Sequence, residues 1–265
     1  SMDIISPSNS RVKGWAQLLD KKHRSKQGKY LIEGIHLVME ALQANADIEC
    51  VAYDLERGIP RELTGLRSSP DAPEWIAVSA AVIAKCTEAK TPQPVFAVVR
   101  KETTGVDKLW EKPNSIVIVL DGVQDPGNVG TIVRSADAAG AAGVVLGQGC
   151  ADLYNPKTIR STMGSMFHIP VVEGELTELL PEAKRHGAQI ISTALDATHS
   201  CYTYDFRGPV WMLIGSEGQG VSAEATALVD ESIRIPMVGQ AESLNAAMAA
   251  TIVLFEAMRQ RNFNQ

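Results

Sequence analysis

Three stretches of this 265-residue chain set fixed polar side chains among small residues: 124–140 (QDPGNVGTIVRSADAAG), 210–222 (VWMLIGSEGQGVS) and 235–250 (IPMVGQAESLNAAMAA). Each lies where an apolar run gives way to a helix, the place where an α/β sheet keeps its ligands. In the first, Asp125-Pro126-Gly127 makes a tight turn and Asn128 stands at the expected helix cap. Arg134 follows in a helix whose Val129, Ile132, Val133 and Ala136 pack on a sheet. Its guanidinium therefore reaches either solvent or an anionic or oxygen-rich partner. In the second, Gly215, Gly218 and Gly220 let backbone groups approach a ligand closely. Glu217 among them is open to three uses: binding a ribose hydroxyl, orienting Arg134 or capping the next helix. In the third, Ser243 and Asn245 can cap the last helix while their free polar atoms face a substrate. No G-x-G-x-x-G follows the first strand and no Walker lysine is present, which argues against a dinucleotide cofactor. His168 sits at a strand edge, and none of the five histidines has a recognisable nucleophile or ligand partner. Cys50, Cys86, Cys150 and Cys201 lack paired spacing, so neither a disulfide nor zinc is expected.

The elements that must hold these groups alternate strand, loop and helix. Apolar runs at 116–120, 143–147, 168–172, 189–194, 210–214 and 232–236 predict strands covered on both faces, hence parallel pairing. Helices are predicted over 129–139, 156–165, 175–186, 222–228 and 243–260. In the last, Leu244, Ala247, Met248, Thr251, Ile252, Phe255 and Met258 form one packed stripe, with Ser243 as cap. The first hundred residues predict a smaller α/β module, with helices at 11–21 and 33–44 and strands at 48–53, 75–79 and 94–100. The polar stretch 101–115 links the two, giving domains 1–107 and 108–265.

With 45% hydrophobic and 21% charged residues the chain has an ordinary globular composition. No apolar run approaches the roughly 18 residues of a membrane span, and the N-terminus has no signal-peptide core, so a cytoplasmic location and no membrane partner are expected. Ser1 ahead of Met2 reads as a remnant of tag removal. The net charge of -6 is mildly against a polyanionic partner, yet it is unevenly spread. Arg11, Lys13, Lys21, Lys22, Arg24, Lys26 and Lys29 are opposed only by Asp20, a local +6 that fits either a phosphate-facing surface or a solvated helix and loop.

Taken in order, Asn128 with Arg134, then Gly215-Ser216-Glu217-Gly218, then Ile235-Pro236 with Ser243-Leu244-Asn245 resemble the three motifs of the SPOUT superfamily. The match is to the TrmH-like (SpoU) 2'-O-ribose RNA methyltransferases, and it covers about residues 115–260. Asn9, Arg24, Tyr30, Glu33 and Gly34 resemble the N-terminal L30e-like substrate-binding domain found in one branch. The resemblance implies an α/β fold with a mostly parallel sheet tied in a deep trefoil knot, in place of the open doubly wound sheet that the strand pattern alone suggests. It implies S-adenosylmethionine held by Thr193, Ala194, Ile214, Gly215, Gly218, Ile235 and Leu244, the glycines leaving ligand space. A homodimer and a structured RNA substrate, foremost 23S ribosomal RNA, with transfer RNA as the alternative, are implied as well. The RNA would lie on Arg11, Lys13, Lys22, Arg24, Lys26 and Lys29.

For catalysis, the resemblance gives Arg134 the central role, with Asn128 placing ribose or phosphate, Glu217 holding the arginine, and Ser243 and Asn245 orienting the hydroxyl. An arginine normally titrates above 12, so stabilising a developing alkoxide is physically easier for it than acting as a base. No metal is required, because the sulfonium electrophile already carries positive charge. An RNA-binding protein that keeps the knotted dimer without turnover is the main alternative, and a nucleotide-dependent oxidoreductase the second.

Overall fold

The protein is described by a computed structural model over residues 3–67 and 72–263, so Ser1 and Met2 lie outside the described residues. It divides into two compact units, Ser1–Thr103 with Tyr154–Phe167, and Thr104–Leu153 with His168–Gln265. The first division falls at 103/104, where the expected boundary was 107/108. The inclusion of 154–167 in the first unit has no counterpart in the sequence reading.

The first unit runs β1 (Asp3–Ile4), α1 (Ser10–Gln17), α2 (Lys21–Gln27), β2 (Lys29–Glu33), α3 (Ile35–Gln43), β3 (Ile48–Asp54), β4 (Glu74–Val78), α4 (Ala80–Lys85) and β5 (Val95–Arg100). The strands form a mixed sheet in the order β1-β4-β3-β5-β2. Alternation along β5 shows how both faces are used. Phe96 and Val98 join Val12 and Trp15 of α1, Leu18 just beyond it, and Val82 and Ile83 of α4 in one core. Val95, Ala97 and Val99 join Leu37, Val38 and Ala41 of α3 in the other, which also receives Ile159 from the 154–167 segment.

The second unit runs α5 (Asp107–Trp110), β6 (Ile116–Asp121), α6 (Pro126–Ala138) and β7 (Gly143–Leu146); α7 (Pro156–Thr162) then belongs to the first unit. It resumes with β8 (Val171–Glu173), α8 (Leu176–Arg185), β9 (Gln189–Thr193), β10 (His199–Ser200), β11 (Val210–Gly215), α9 (Ala223–Thr226), β12 (Glu231–Arg234) and α10 (Ala246–Asn262). All seven strands pair in parallel in the order β10-β12-β9-β11-β6-β7-β8. Val117, Val119, Trp211 and Leu213 pack against Leu176, Leu180 and Ala183 of α8. The last helix, α10, packs on α6, β11 and β6. No helix among the described residues is long and apolar enough to cross a membrane.

Three expectations need correction here. Asn128 does not cap α6: Asp125 is the cap, its carboxylate accepting the Asn128 N–H at 3.0 Å, with Pro126 at the first helical position, where a missing N–H costs nothing. Nor does Ser243 cap α10, because Asn245 accepts the N–H groups of Ala247 and Met248. The buried face of α10 also differs from the expected stripe. It consists of Ala246, Ala247, Ala250, Val253, Leu254, Glu256 and Ala257, while Met248 and Phe255 are 61% and 39% exposed. A helix apolar on several sides has no single stripe to read, and α10 packs on α6.

Candidate active site

The candidate groups of the second unit converge at the C-terminal ends of β6, β9 and β11. Ser216 and Gly220 bond reciprocally through their backbones, closing a tight hairpin after β11. The Ser216 hydroxyl accepts the Gln219 N–H within it. This hairpin folds back on Gly215, where an added Cβ would stand 2.2 Å from the Gly220 carbonyl carbon. The requirement for glycine at 215 is thus backbone packing within the protein, not ligand space. Around Gly218 there is nothing within 4 Å of an added Cβ.

At the hairpin tip Glu217 Oε1 accepts from Asn128 Nδ2 at 2.6 Å and from Asn245 Nδ2 at 3.3 Å, and Asn245 Nδ2 also donates to Asn128 Oδ1 at 3.1 Å. The Asn245 Oδ1 is meanwhile engaged by the start of α10, so one side chain locks the helix and orients the two others. Three segments far apart in sequence are knitted into one polar cluster. Arg134 is not part of it. The side chain is exposed, and no hydrogen bond or ion pair recorded among the described residues includes it. Six residues beyond Asn128 on α6, it is displaced about 9 Å along the axis and about 120° around it. The expectation that Glu217 holds Arg134 is therefore corrected: within one chain, Glu217 holds Asn128 and Asn245.

Two cavities flank this cluster. One, of about 200 Å³, is lined by Thr193, Ala194, Ile214, Gly215, Ile235, Ser243 and Leu244, together with Leu195, Ser216, Glu217, Gly220, Val221, Met237, Ala246 and Ala249. The other, of about 620 Å³, is lined by Asp121, Gln124, Asn128, Gly218, Gln219, Ser222 and neighbours, and it shares Ser216, Glu217, Gly220 and Val221 with the first. Gly218 thus belongs to the second cavity rather than to the first. Asp121 escaped the sequence reading, although the only signal it could have given was an acid ending the apolar run IVIVL. His168 pairs with Asp137 through Nδ1 at 2.7 Å and takes no part in the site. Among the described residues no group of three or more His, Cys, Asp or Glu could hold a metal ion, and all four cysteines are free thiols. Burial pushes Cys50 and Cys86 up to about 12.

The comparison with known families gives residues 115–255 as a match to the SpoU rRNA Methylase family and residues 9–97 as a match to the MRM3-like substrate binding domain. The chain belongs to the SpoU methylase family. The relative RlmP of Bacillus subtilis, a 23S rRNA guanosine 2'-O-methyltransferase, is 39% identical over 95% of this chain and 97% of its own. A 23S rRNA uridine 2'-O-methyltransferase of Streptomyces viridochromogenes is 33% identical over 97% and 92%. Among solved structures, the SpoU methyltransferase AviRb from that organism, in complex with the cofactor AdoMet, matches with a TM-score of 0.87 and 32% identity over 95% of this chain and 98% of its own. An AdoMet-bound rRNA methyltransferase from Sinorhizobium meliloti matches with a TM-score of 0.85 and 32% identity over 97% of each chain. The SpoU unit here is the one carrying the parallel sheet, both cavities and the polar cluster.

In the first unit the basic segment divides by role. Arg24 is only 2% exposed, and its Nη1 donates at 3.1 Å to the carbonyls of both Leu18 and Leu19, satisfying the end of α1. This corrects its assignment to phosphate binding, since the guanidinium is committed inside the protein. Arg11 forms a bidentate pair with Glu74 and lies over the Trp15 ring, and the pair raises the arginine's pKa and lowers the carboxyl's. Lys29 pairs with Glu49 at 2.7 Å. Lys13, Lys21, Lys22 and Lys26 are exposed, with no ion partner recorded among the described residues.

Proposed function

We propose that this chain transfers the methyl group of S-adenosylmethionine to a ribose 2'-hydroxyl of 23S ribosomal RNA. The observation that carries the reading is the knitted cluster of Asn128, Glu217 and Asn245, in which Glu217 stands on the wall shared by two cavities and Asn128 lines the larger, which suits one cavity for the methyl donor and the other for the acceptor. Similarity over nearly the whole chain to two 23S rRNA 2'-O-methyltransferases supports the substrate class, and the AdoMet complexes among similar structures support the cofactor. Those two relatives modify a guanosine and a uridine, so family membership does not fix the base.

The smaller cavity fits S-adenosylmethionine in its chemistry. Strand ends and the start of α10 bring backbone donors and acceptors beside the apolar side chains of Ile214, Ile235 and Leu244, as a heterocycle on an aliphatic chain requires. Thr193, Ala194, Ile214, Gly215, Ile235 and Leu244 would hold it, and once bound it supplies an electrophilic methyl on a sulfonium. Asn128 and Ser243 position the ribose. Glu217 presents its second carboxylate oxygen to the hydroxyl, and Asn245 keeps both Asn128 and Glu217 in place. Arg134 stabilises the developing alkoxide as a cation. Its displacement from Asn128 around α6 favours delivery from a second copy, and the exposed Met248 and Phe255 on the adjoining helix α10 supply an apolar seam for a homodimer. The path from β12 at one side of the sheet back to α10 over β6 and β11 suits the knotted crossing of this family. A ribosomal RNA substrate also supports a cytoplasmic location.

Mapping of 2'-O-methyl groups on total RNA from cells with and without the gene tests the function. One 23S rRNA site is expected to disappear in the deletion and to return on incubation of that RNA with the full chain and S-adenosylmethionine. An unchanged map would overturn the reading. RNA binding by the first unit is assigned to Lys13, Lys22 and Lys26, with Arg11 and Lys29 contributing beyond their ion pairs. Replacing the three free lysines by glutamine is expected to weaken RNA binding and to flatten log K against log salt by about 0.7–0.9 for each phosphate that is no longer neutralised. Arg24→Gln should instead lower the melting temperature while leaving that slope unchanged, because its partners are backbone carbonyls.

A further inference from the structure

The larger cavity contains a group that the proposed reaction does not use. Asp121 ends β6, is 7% exposed, and lines the cavity near Asn128 and Glu217. Its Oδ2 accepts the Ser222 N–H at 2.7 Å, while no donor among the described residues reaches Oδ1. The nearby Cys150 thiol donates to the Leu120 carbonyl instead. Oδ1 is not among the buried side-chain atoms left without a partner, so it stays open to solvent and is free to exchange water for a donor on whatever enters the cavity. Among the described residues, the lining of this cavity includes three acids, Asp121, Asp125 and Glu217, and no lysine or arginine. Such a wall repels phosphate and suits a neutral group bearing N–H. Gln124, Asn128 and Gln219 add amides that can either donate or accept.

We infer that this cavity receives the base of the target nucleotide, turned out of its stack, and that Asp121 Oδ1 accepts the ring N–H of that base. The inference rests on the function proposed above. Enzymes acting at a nucleotide extracted from its helix read the base along its Watson–Crick edge. There guanine and uracil carry a ring N–H, whereas adenine and cytosine present a ring nitrogen lone pair, which a carboxylate opposes. Asp121 thus selects guanosine or uridine over adenosine and cytidine. Its tie to Ser222, whose own hydroxyl caps α9, fixes which oxygen faces the cavity.

That tie also makes the test sharp. In Asp121→Asn the Ser222 N–H still demands an acceptor, so the amide oxygen takes that place and the NH₂ replaces the free carboxylate oxygen. Methyl transfer by the full chain would be measured on 23S rRNA from cells lacking the gene, and on transcripts of the mapped site bearing each of the four bases at the target. The wild type is expected to accept guanosine and uridine and to lose about 100-fold or more in kcat/KM on adenosine and cytidine. Asp121→Asn is expected to lose a similar factor on the native base and to shift its preference toward adenosine or cytidine, with S-adenosylmethionine affinity and melting temperature unchanged. An active wild type that treats the four bases alike, or an Asp121→Asn variant with native kcat/KM and native preference, would leave Asp121 as a tie between β6 and Ser222 only. A wild type that binds S-adenosylmethionine but methylates no RNA would instead overturn the proposed function, and the base assignment with it.

Discussion

Arg134→Ala is expected to lower kcat by about 10²–10³-fold, the usual cost of removing one preorganised group that stabilises developing negative charge. Binding of S-adenosylmethionine should be unaffected, because Arg134 does not line the cavity proposed to hold it. Stability should change little, since the side chain is exposed and without a recorded partner. Lysine at this position would keep the charge but not the planar fork, so partial activity in Arg134→Lys would indicate that charge rather than geometry dominates. The origin of the arginine can be read by co-expressing Arg134→Ala with Glu217→Ala. If one chain contributes the arginine and the other the carboxylate, the mixed dimer regains one complete site and preparations recover about a quarter of wild-type activity. If both groups serve the same chain, the mixture stays inactive. Sedimentation of the full chain at twice 28.5 kDa is the accompanying control.

Gly215→Ala is the second variant with a large expected effect. A methyl group there would meet the Gly220 carbonyl carbon at 2.2 Å and the Val221 nitrogen at 2.3 Å, both backbone atoms that cannot rotate away. The hairpin must move, carrying Glu217 out of reach of Asn128 and Asn245. Overpacking of this kind costs about 1–3 kcal/mol. Misplacement of a catalytic group by about 1 Å costs roughly 100-fold in rate. Calorimetric melting should fall, S-adenosylmethionine affinity should weaken because Gly215 and Gly220 line its cavity, and methyl transfer should be abolished. Gly218→Ala is the contrast: with open space at that Cβ, melting should be unchanged. A Gly215→Ala protein that melts and binds like the wild type would contradict the close approach.

The parallel sheet was legible because its strands are short continuous apolar runs, and β6, β9 and β11 begin where those runs begin. Their ends were less legible. The run 168–172 supplies a strand only over Val171–Glu173, and 232–236 only over Glu231–Arg234. Two elements of the first unit carried no apolar signal or the wrong one. In α2, KKHRSKQ has no packed stripe, and the helix is set by the Asp20 cap and a left-handed Gly28 at φ 68°. β2 was hidden between a basic segment and a predicted helix start, and became a strand by antiparallel pairing with β5, a long-range choice. The same limit applied to the site. Motif spacing put Asn128, Glu217 and Asn245 on three separate loops, but only tertiary geometry shows that they bond to one another rather than to Arg134. Likewise, charge alone could not separate Arg24, which serves α1, from the lysines beside it.

The segment Tyr154–Phe167 leaves the methylase portion of the chain to complete the other unit, where Ile159 is buried beside Leu37, Val38 and Trp75 and Tyr30 packs on Tyr154. Neither unit is therefore a single continuous piece of polypeptide. Recombination that exchanged the N-terminal module at residue 103 would leave behind the plug for its own core and import one shaped for another. The module and its plug must change together, so the N-terminal module cannot drift independently of the methylase half that encodes the plug.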